Sequence, residues 1–151
     1  MQIINGDLID IIKQNKCSVA IHVANCHHAM GAGVAAALRK NFPEVYAADC
    51  STICSDYNKM GTISVAQLNE FPSVIVANLY AQYNYGTDKS QLDYDALTCC
   101  LKKIKYFYED QIIAYPYLMG CGLAGGDWDT VSKIIDFEFS KMNHFAVRLQ
   151  S

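Results

Sequence analysis

The chain has 151 residues, of which 52% are hydrophobic and only 18% charged, a balance that fits one compact globular domain over residues 1–151 and excludes a disordered chain. A net charge of −3 offers no general attraction to DNA or RNA, so a nucleic-acid backbone is not an expected partner and any bound anion must be held by local dipoles. The first residues carry no signal peptide and no apolar run approaches membrane-spanning length, so a cytoplasmic monomer with no membrane partner is expected.

Residues 2–4 read as a short strand ended by Asn5-Gly6-Asp7, and Asp7 stands where it caps a helix over residues 8–13. Residues 18–24 form a β-branched apolar strand of the kind buried on both faces. A helix over 34–41 follows, then a second helix opened by Phe42-Pro43-Glu44 and running to about residue 56. Strands at 62–68 and 73–80 flank Asn69-Glu70-Phe71-Pro72 and are expected to pair as a hairpin. A polar loop over 83–90 leads to a long amphipathic helix at 92–108, a strand at 112–115, a helix at 128–142 and a closing strand at 144–149. Strands alternating with helices predict an α/β layered fold with helices on both faces, and the hairpin makes its sheet mixed.

Two of the connections are rich in glycine. The first, Asn25-Cys26-His27-His28-Ala29-Met30-Gly31-Ala32-Gly33, joins a strand to a helix. The second, Gly120-Cys121-Gly122-Leu123-Ala124-Gly125-Gly126-Asp127-Trp128, does the same about a hundred residues later. Such junctions align free backbone N–H groups with the positive end of a helix dipole, which suits phosphate, and two of them suggest a cleft for a ligand with two phosphates. Four glycines in seven residues exceed the needs of a plain turn; the excess fits close approach of backbone to ligand. No lysine-serine or lysine-threonine pair makes this a Walker loop, and a Rossmann fingerprint would occupy the first strand–helix turn.

The remaining candidates carry two readings each. Asp7 either caps its helix or accepts a hydrogen bond from an adenine amino group. His22 is either a core histidine or, being close to the first loop, a general acid/base. His27 and His28 either contact phosphate or are solvated, and His144 is read as structural. Tyr80, Tyr83, Tyr85 and Tyr94 gather round one loop and are read as pocket walls. The seven cysteines are an odd number in a chain with no export signal, so no disulfide framework is expected. Cys26 and Cys121 lack an arginine six positions on and are not phosphatase nucleophiles.

Asn5-Gly6-Asp7-Leu8, the strand end His22-Val23-Ala24-Asn25, Met30-Gly31-Ala32-Gly33, and Gly120-Cys121-Gly122-Leu123 followed by Gly126-Asp127-Trp128 together resemble the macro domain, in the right order over nearly the whole chain. The likeness is to the minimal branch of ADP-ribose-1″-phosphate phosphatases and terminal ADP-ribose glycohydrolases. Gln82-Tyr83-Asn84-Tyr85-Gly86 looks like phage and bacterial members, which for a phage protein means the host cytoplasm. The resemblance implies a three-layer α/β/α sandwich with a mixed, mostly parallel six-stranded sheet. It also implies binding of ADP-ribose or ADP-ribose-1″-phosphate, with no cofactor and no metal.

Carried over by position, Asp7 and Leu8 meet the adenine. Asn25, Met30, Gly31, Ala32, Gly33 and Val34 hold the distal ribose and a phosphate. Gly120, Cys121, Gly122, Leu123, Ala124, Gly125 and Gly126 wrap the diphosphate, and Gln82, Tyr83 and Trp128 complete the pocket. The glycohydrolases of this branch use a lysine where this chain has Gln82 and an acidic residue where it has Ala124; Lys89 and Asp127 lie near in sequence. His22 matches a histidine implicated in the phosphatase reaction of similar proteins. The expectation is therefore a phosphatase with His22 as acid/base, Asp127 as a second carboxylate and Asn25 orienting the distal ribose. The alternatives are a glycohydrolase and a binding module without turnover.

Overall fold

The structure is a computed structural model and describes residues 1–86 and 89–150. Its elements in chain order are β1 (Gln2–Asn5), α1 (Leu8–Lys13), β2 (Val19–Ala24), α2 (Gly33–Asn41), α3 (Pro43–Cys50), a short 3-10 turn (Tyr57–Lys59), β3 (Ile63–Gln67), β4 (Ile75–Tyr80), α4 (Tyr94–Tyr108), β5 (Ile112–Pro116), α5 (Trp128–Glu138) and β6 (Asn143–Arg148). The six strands form one sheet in the order β1-β6-β5-β2-β4-β3. Only the β3–β4 pair is antiparallel, as the hairpin reading expects; the other neighbours run parallel.

Alternation along the central strands divides the interior into two cores. Val19 and Ile21 of β2 face α4 and α5, packing with Leu97, Leu101, Ile104, Val131, Ile135 and Phe139. Ala20 faces the other side, in a cluster with Ile12, Leu38, Val45, Val76 and Ala114 under α1, α2 and α3. This is the three-layer sandwich. Each fully buried Leu or Ile of these clusters contributes about 1.5–3 kcal/mol, so both faces of the sheet carry weight in stability.

Several helix ends differ from the sequence expectation, for local reasons. The second helix stops at Cys50 rather than near residue 56. Ser51 Oγ and Thr52 Oγ1 donate to the carbonyls of Ala48 and Asp49, at 2.6 Å each, and compete with the helical ladder. The long helix starts at Tyr94 rather than 92 because Asp93 caps it, accepting from the Ala96 N–H at 2.9 Å. The last helix ends at Glu138 instead of 142. The polar loop read over 83–90 includes Thr87 and Asp88, which lie outside the described residues.

The cleft follows from the topology. Parallel β2 and β5 are neighbours, so the loops after them leave the same end of the sheet. The helix after β2 then packs on one face and the helix after β5 on the other. A sheet whose chain departs to opposite faces opens a crevice at the carboxyl ends of those strands, where ligands of open α/β folds sit.

Candidate functional site

A cleft of about 640 Å³ opens at this point. One wall is the end of β2 and the first glycine loop, with His22, Asn25, Met30, Gly31, Ala32, Gly33 and Val34; the other is Gly120, Gly122, Leu123 and Ala124. Gln82 also lines it. Pro116, Tyr117, Leu118 and Met119, together with Tyr85 and Gly86, complete the walls. The stretch from Pro116 to Met119 is absent from the site predicted by sequence. It holds no glycine, and its only local signal is the strand end itself.

Among the described residues, none that lines the cleft is an Asp, Glu, Lys or Arg. Donors come instead from the backbone. Helix α2 has Ala32 as its N-cap and no side-chain cap, so the first-turn N–H groups of Gly33, Val34 and Ala35 have no intrahelical partner. Across the cleft, among the described residues, the N–H groups of Gly122, Leu123 and Ala124 have no hydrogen-bond acceptor. Two sets of unpaired backbone dipoles thus meet over one cavity, an arrangement that favours an anion without any formal charge.

The glycines divide into two groups. Gly120 and Gly125 have φ of +74° and +73°, and a Cβ on Gly126 would lie 2.4 Å from Leu92 Cδ2 and 2.6 Å from the Gly120 carbonyl oxygen. These three serve the loop's own closure, sealed by the Gly126 N–H donating to the Gly120 carbonyl at 2.9 Å. Most of the glycine excess in that loop therefore has a reason in the fold. Gly31 and Gly122 are different: neither has a positive φ, and a Cβ on either meets nothing within 4 Å. Both line the cleft, where a missing side chain admits a ligand to the backbone.

His22 is 2% exposed and its ring pairs with Asn78 through Nε2, while Nδ1 has no partner among the described residues. Burial holds its pKa below the usual histidine value, against the opposing pull of the Asn78 bond and the Asp49 carboxylate. Asn25 lines the cleft but is largely committed to its loop. Its Oδ1 accepts from the N–H groups of His27 (2.9 Å) and Ala29 (3.3 Å), and Nδ2 donates to the Ala29 carbonyl at 2.7 Å, leaving one amide hydrogen. His27 and His28 are half-buried and do not line the cleft. His27 bonds Ser55 Oγ at 2.7 Å and Asn84 Oδ1 at 2.9 Å, and His28 bonds the Thr52 carbonyl at 3.0 Å, so both stitch the loop to its neighbours.

Other predicted site residues have structural duties. Asp7 accepts from the Ile9 N–H at 2.8 Å as the cap of α1, and neither it nor Leu8 lines the cleft. Asp127 caps α5, accepting from the Thr130 N–H at 3.0 Å and the Thr130 hydroxyl at 2.8 Å; these bonds hold its pKa below the usual carboxylate value. Its carboxylate is not brought to His22 in the cleft. Trp128 packs edge-on against Tyr117 at 5.2 Å and supports that wall from behind. Cys121, Gly125 and Gly126 lie in the loop but outside the lining, as does Tyr83, whose hydroxyl donates to the Ser55 carbonyl at 3.0 Å.

Of the four tyrosines read as pocket walls, only Tyr85 lines the cleft. Tyr80 is fully buried and Tyr94 accepts from the Asp127 N–H at 2.9 Å. Burial pushes the Cys121 thiol up to about 11 and raises that of Cys26, which agrees with their exclusion as nucleophiles. Gln82 donates to the Asn84 carbonyl at 2.9 Å, and Lys89 is exposed and not part of the lining.

A family model described as Macro domain matches residues 21–135. The chain is 33% identical over 144 residues, 92% of its own length and 90% of the other's, to an uncharacterized 17.5 kDa protein in the tk-vs intergenic region of Enterobacteria phage T4. Among solved structures it resembles a protein of unknown function from Bacteroides thetaiotaomicron, with a TM-score of 0.80 and 25% identity over 98% of this chain and 97% of that one. It also resembles Thermosipho africanus DarTG in complex with ADP-ribose, with a TM-score of 0.74 and 16% identity over 99% of this chain and 42% of that one.

Proposed function

The chain belongs to the Macro domain family, and we propose on that premise that its cleft binds ADP-ribose and hydrolyses ADP-ribose-1″-phosphate to ADP-ribose and phosphate. The observation that carries the binding half is the facing pair of unpaired backbone donor sets, at α2 and at Gly122 to Ala124, across a cleft with room for a nucleoside diphosphate. A structure of the same fold holding ADP-ribose supports it.

His22 carries the hydrolytic half. Among the described residues that line the cleft it is the one whose side chain ordinarily titrates near neutrality, and burial holds its pKa below the usual histidine value. Asn25 keeps one amide hydrogen for the distal ribose while holding its loop. We give Asp127 no part in this reading, since its carboxylate caps α5. The test is phosphate release from ADP-ribose-1″-phosphate by the wild type and by His22→Ala, with ADP-ribose affinity measured by calorimetry on both. Release should fall at least about tenfold in the variant, equivalent to about 1.4 kcal/mol in the barrier, with affinity little changed. Unchanged release removes His22 from the reaction.

A second reading fits a lining that, among the described residues, has no carboxylate or cationic side chain: a module that holds ADP-ribose without turnover. It predicts the same affinity and no phosphate release. Glycohydrolysis gains no such support, since Gln82 and Ala124 occupy the places of its lysine and acid and Lys89 is not a lining residue.

A further inference from the structure

Two amide side chains line the cleft, Asn25 and Gln82, and they differ in what each has left to offer. Asn25 Oδ1 is taken up by the N–H groups of His27 and Ala29. Gln82 stands two residues past the end of β4, which runs parallel to β2 with Ala24 opposite Tyr80; continued by two residues, that register brings Gln82 beside Cys26 and the first glycine loop. The Cys26 thiol donates to the Gln82 carbonyl at 3.6 Å, and on its other side Gln82 forms a backbone bridge to Leu92. The side chain is braced as well. Its Nε2 donates to the Asn84 carbonyl at 2.9 Å, and since a backbone carbonyl only accepts, this partner fixes which end of the amide is nitrogen. Asn84 is pinned in turn, its Oδ1 bonded to His27 Nε2 at 2.9 Å. Gln82 is half-buried, and its Oε1 has no partner among the described residues and is not one of the buried orphaned atoms. The cleft thus holds an oriented acceptor with one amide hydrogen still free beside it.

An amide in this state suits a reaction that needs a water held in place. Phosphoryl transfer passes through a loose transition state with little bonding to the nucleophile, so much of its catalysis is positioning. We propose that Gln82 orients the attacking water, with Oε1 accepting one of its O–H groups and the free amide hydrogen donating to a phosphoryl oxygen. This rests on the hydrolytic reading above. The water oxygen bonds to phosphorus as the P–O1″ bond breaks. O1″ keeps the bonding pair and ends with one proton of the water, giving the ADP-ribose hydroxyl; the other proton stays on the new phosphate oxygen. Asn25 cannot take this part, because its own oxygen already accepts two N–H groups.

The test is the split between kcat and KM for phosphate release from ADP-ribose-1″-phosphate, with ADP-ribose affinity measured by calorimetry on the same proteins. Gln82→Met keeps the length and shape of the side chain and removes both polar ends. Its kcat should fall at least about tenfold, while KM and the affinity for ADP-ribose stay within about threefold. A role confined to bracing the loop would move KM and affinity as well. A Gln82→Met protein with wild-type kcat overturns the proposal. So does one that raises KM and weakens ADP-ribose binding at unchanged kcat, which would mean that Gln82 holds a hydroxyl of the ligand instead of the water. If Gln82→Met does not fold, Gln82→Asn decides: the same amide drawn back by one carbon should also lose at least about tenfold in kcat, and wild-type kcat there overturns the proposal. A wild type that binds ADP-ribose yet releases no phosphate defeats the hydrolytic reading and the water-positioning role with it. A wild type that does release phosphate leaves that reading standing whatever the Gln82 variants show.

Discussion

At Asp127 and His22 the same kind of evidence leads to opposite expectations. The Asp127 carboxylate is exposed and bound to Thr130, so Asp127→Ala should lower the melting temperature while ADP-ribose affinity stays within about twofold. Loss of phosphate release in Asp127→Asn, with the fold intact, would return the residue to the mechanism. For His22 the pKa shift gives a sign. Burial lowers the folded-state pKa below the unfolded value of about 6.5. The neutral ring costs nothing above that pH, and stability is lost as pH falls from about 6.5 toward and through the folded pKa, because the unfolded chain binds the proton more readily. Melting temperature should therefore decline in mild acid in the wild type and less steeply in His22→Asn. His144, whose pKa burial also lowers, keeps part of the decline in the variant. Asn78→Ala removes the acceptor for a buried N–H and should cost about 1–3 kcal/mol in a denaturant titration.

The loops are where sequence patterns and structure diverge most usefully. Gly126→Ala places a methyl against Leu92 and the Gly120 carbonyl and should destabilise by about 1–3 kcal/mol, read by chemical denaturation. Gly31→Ala and Gly122→Ala meet no protein atom, so they should leave stability nearly unchanged and weaken ADP-ribose binding by about tenfold or more. Equal affinity in both variants would mean that the ligand does not approach those backbones. Leu118, on the wall after β5, holds a φ of +63° while 42% exposed. A left-handed conformation costs a non-glycine residue about 1–2 kcal/mol, so Leu118→Gly should not reduce stability, and calorimetry should show weaker binding as the apolar contact is lost.

Over the whole molecule, a net charge of −3 and a cleft whose described lining residues carry no charged side chain imply that ADP-ribose is held by oriented backbone rather than by ion pairs. Raising salt from about 0.05 to about 0.5 M should then change its Kd by less than about threefold, whereas surface ion pairs would be screened over that range. Saturating ligand should also stabilise the fold by about 2.7 kcal/mol at a hundred times Kd. Much of this was legible along the chain. Apolar periodicity located all six strands and five helices to within a few residues at most ends, because alternation and helical spacing are local properties. The order of strand, glycine loop and helix marked both halves of the cleft, and Asp7 was already readable as a cap. The pairing of Asn78 with His22 was not legible: in the run Val74 to Tyr80 Asn78 is one polar residue in an apolar strand, and its partner lies 56 residues away in sequence. The wall from Pro116 to Met119 carried no glycine signal and became part of the site only because β5 lies beside β2. Residue type and local spacing thus determined the elements and the two glycine loops, and the resemblance of its motifs pointed to the family. Strand register and side-chain packing, which join segments far apart in the chain, decided which glycines line the cleft, why Asp127 is a cap, and that His22 pairs with Asn78.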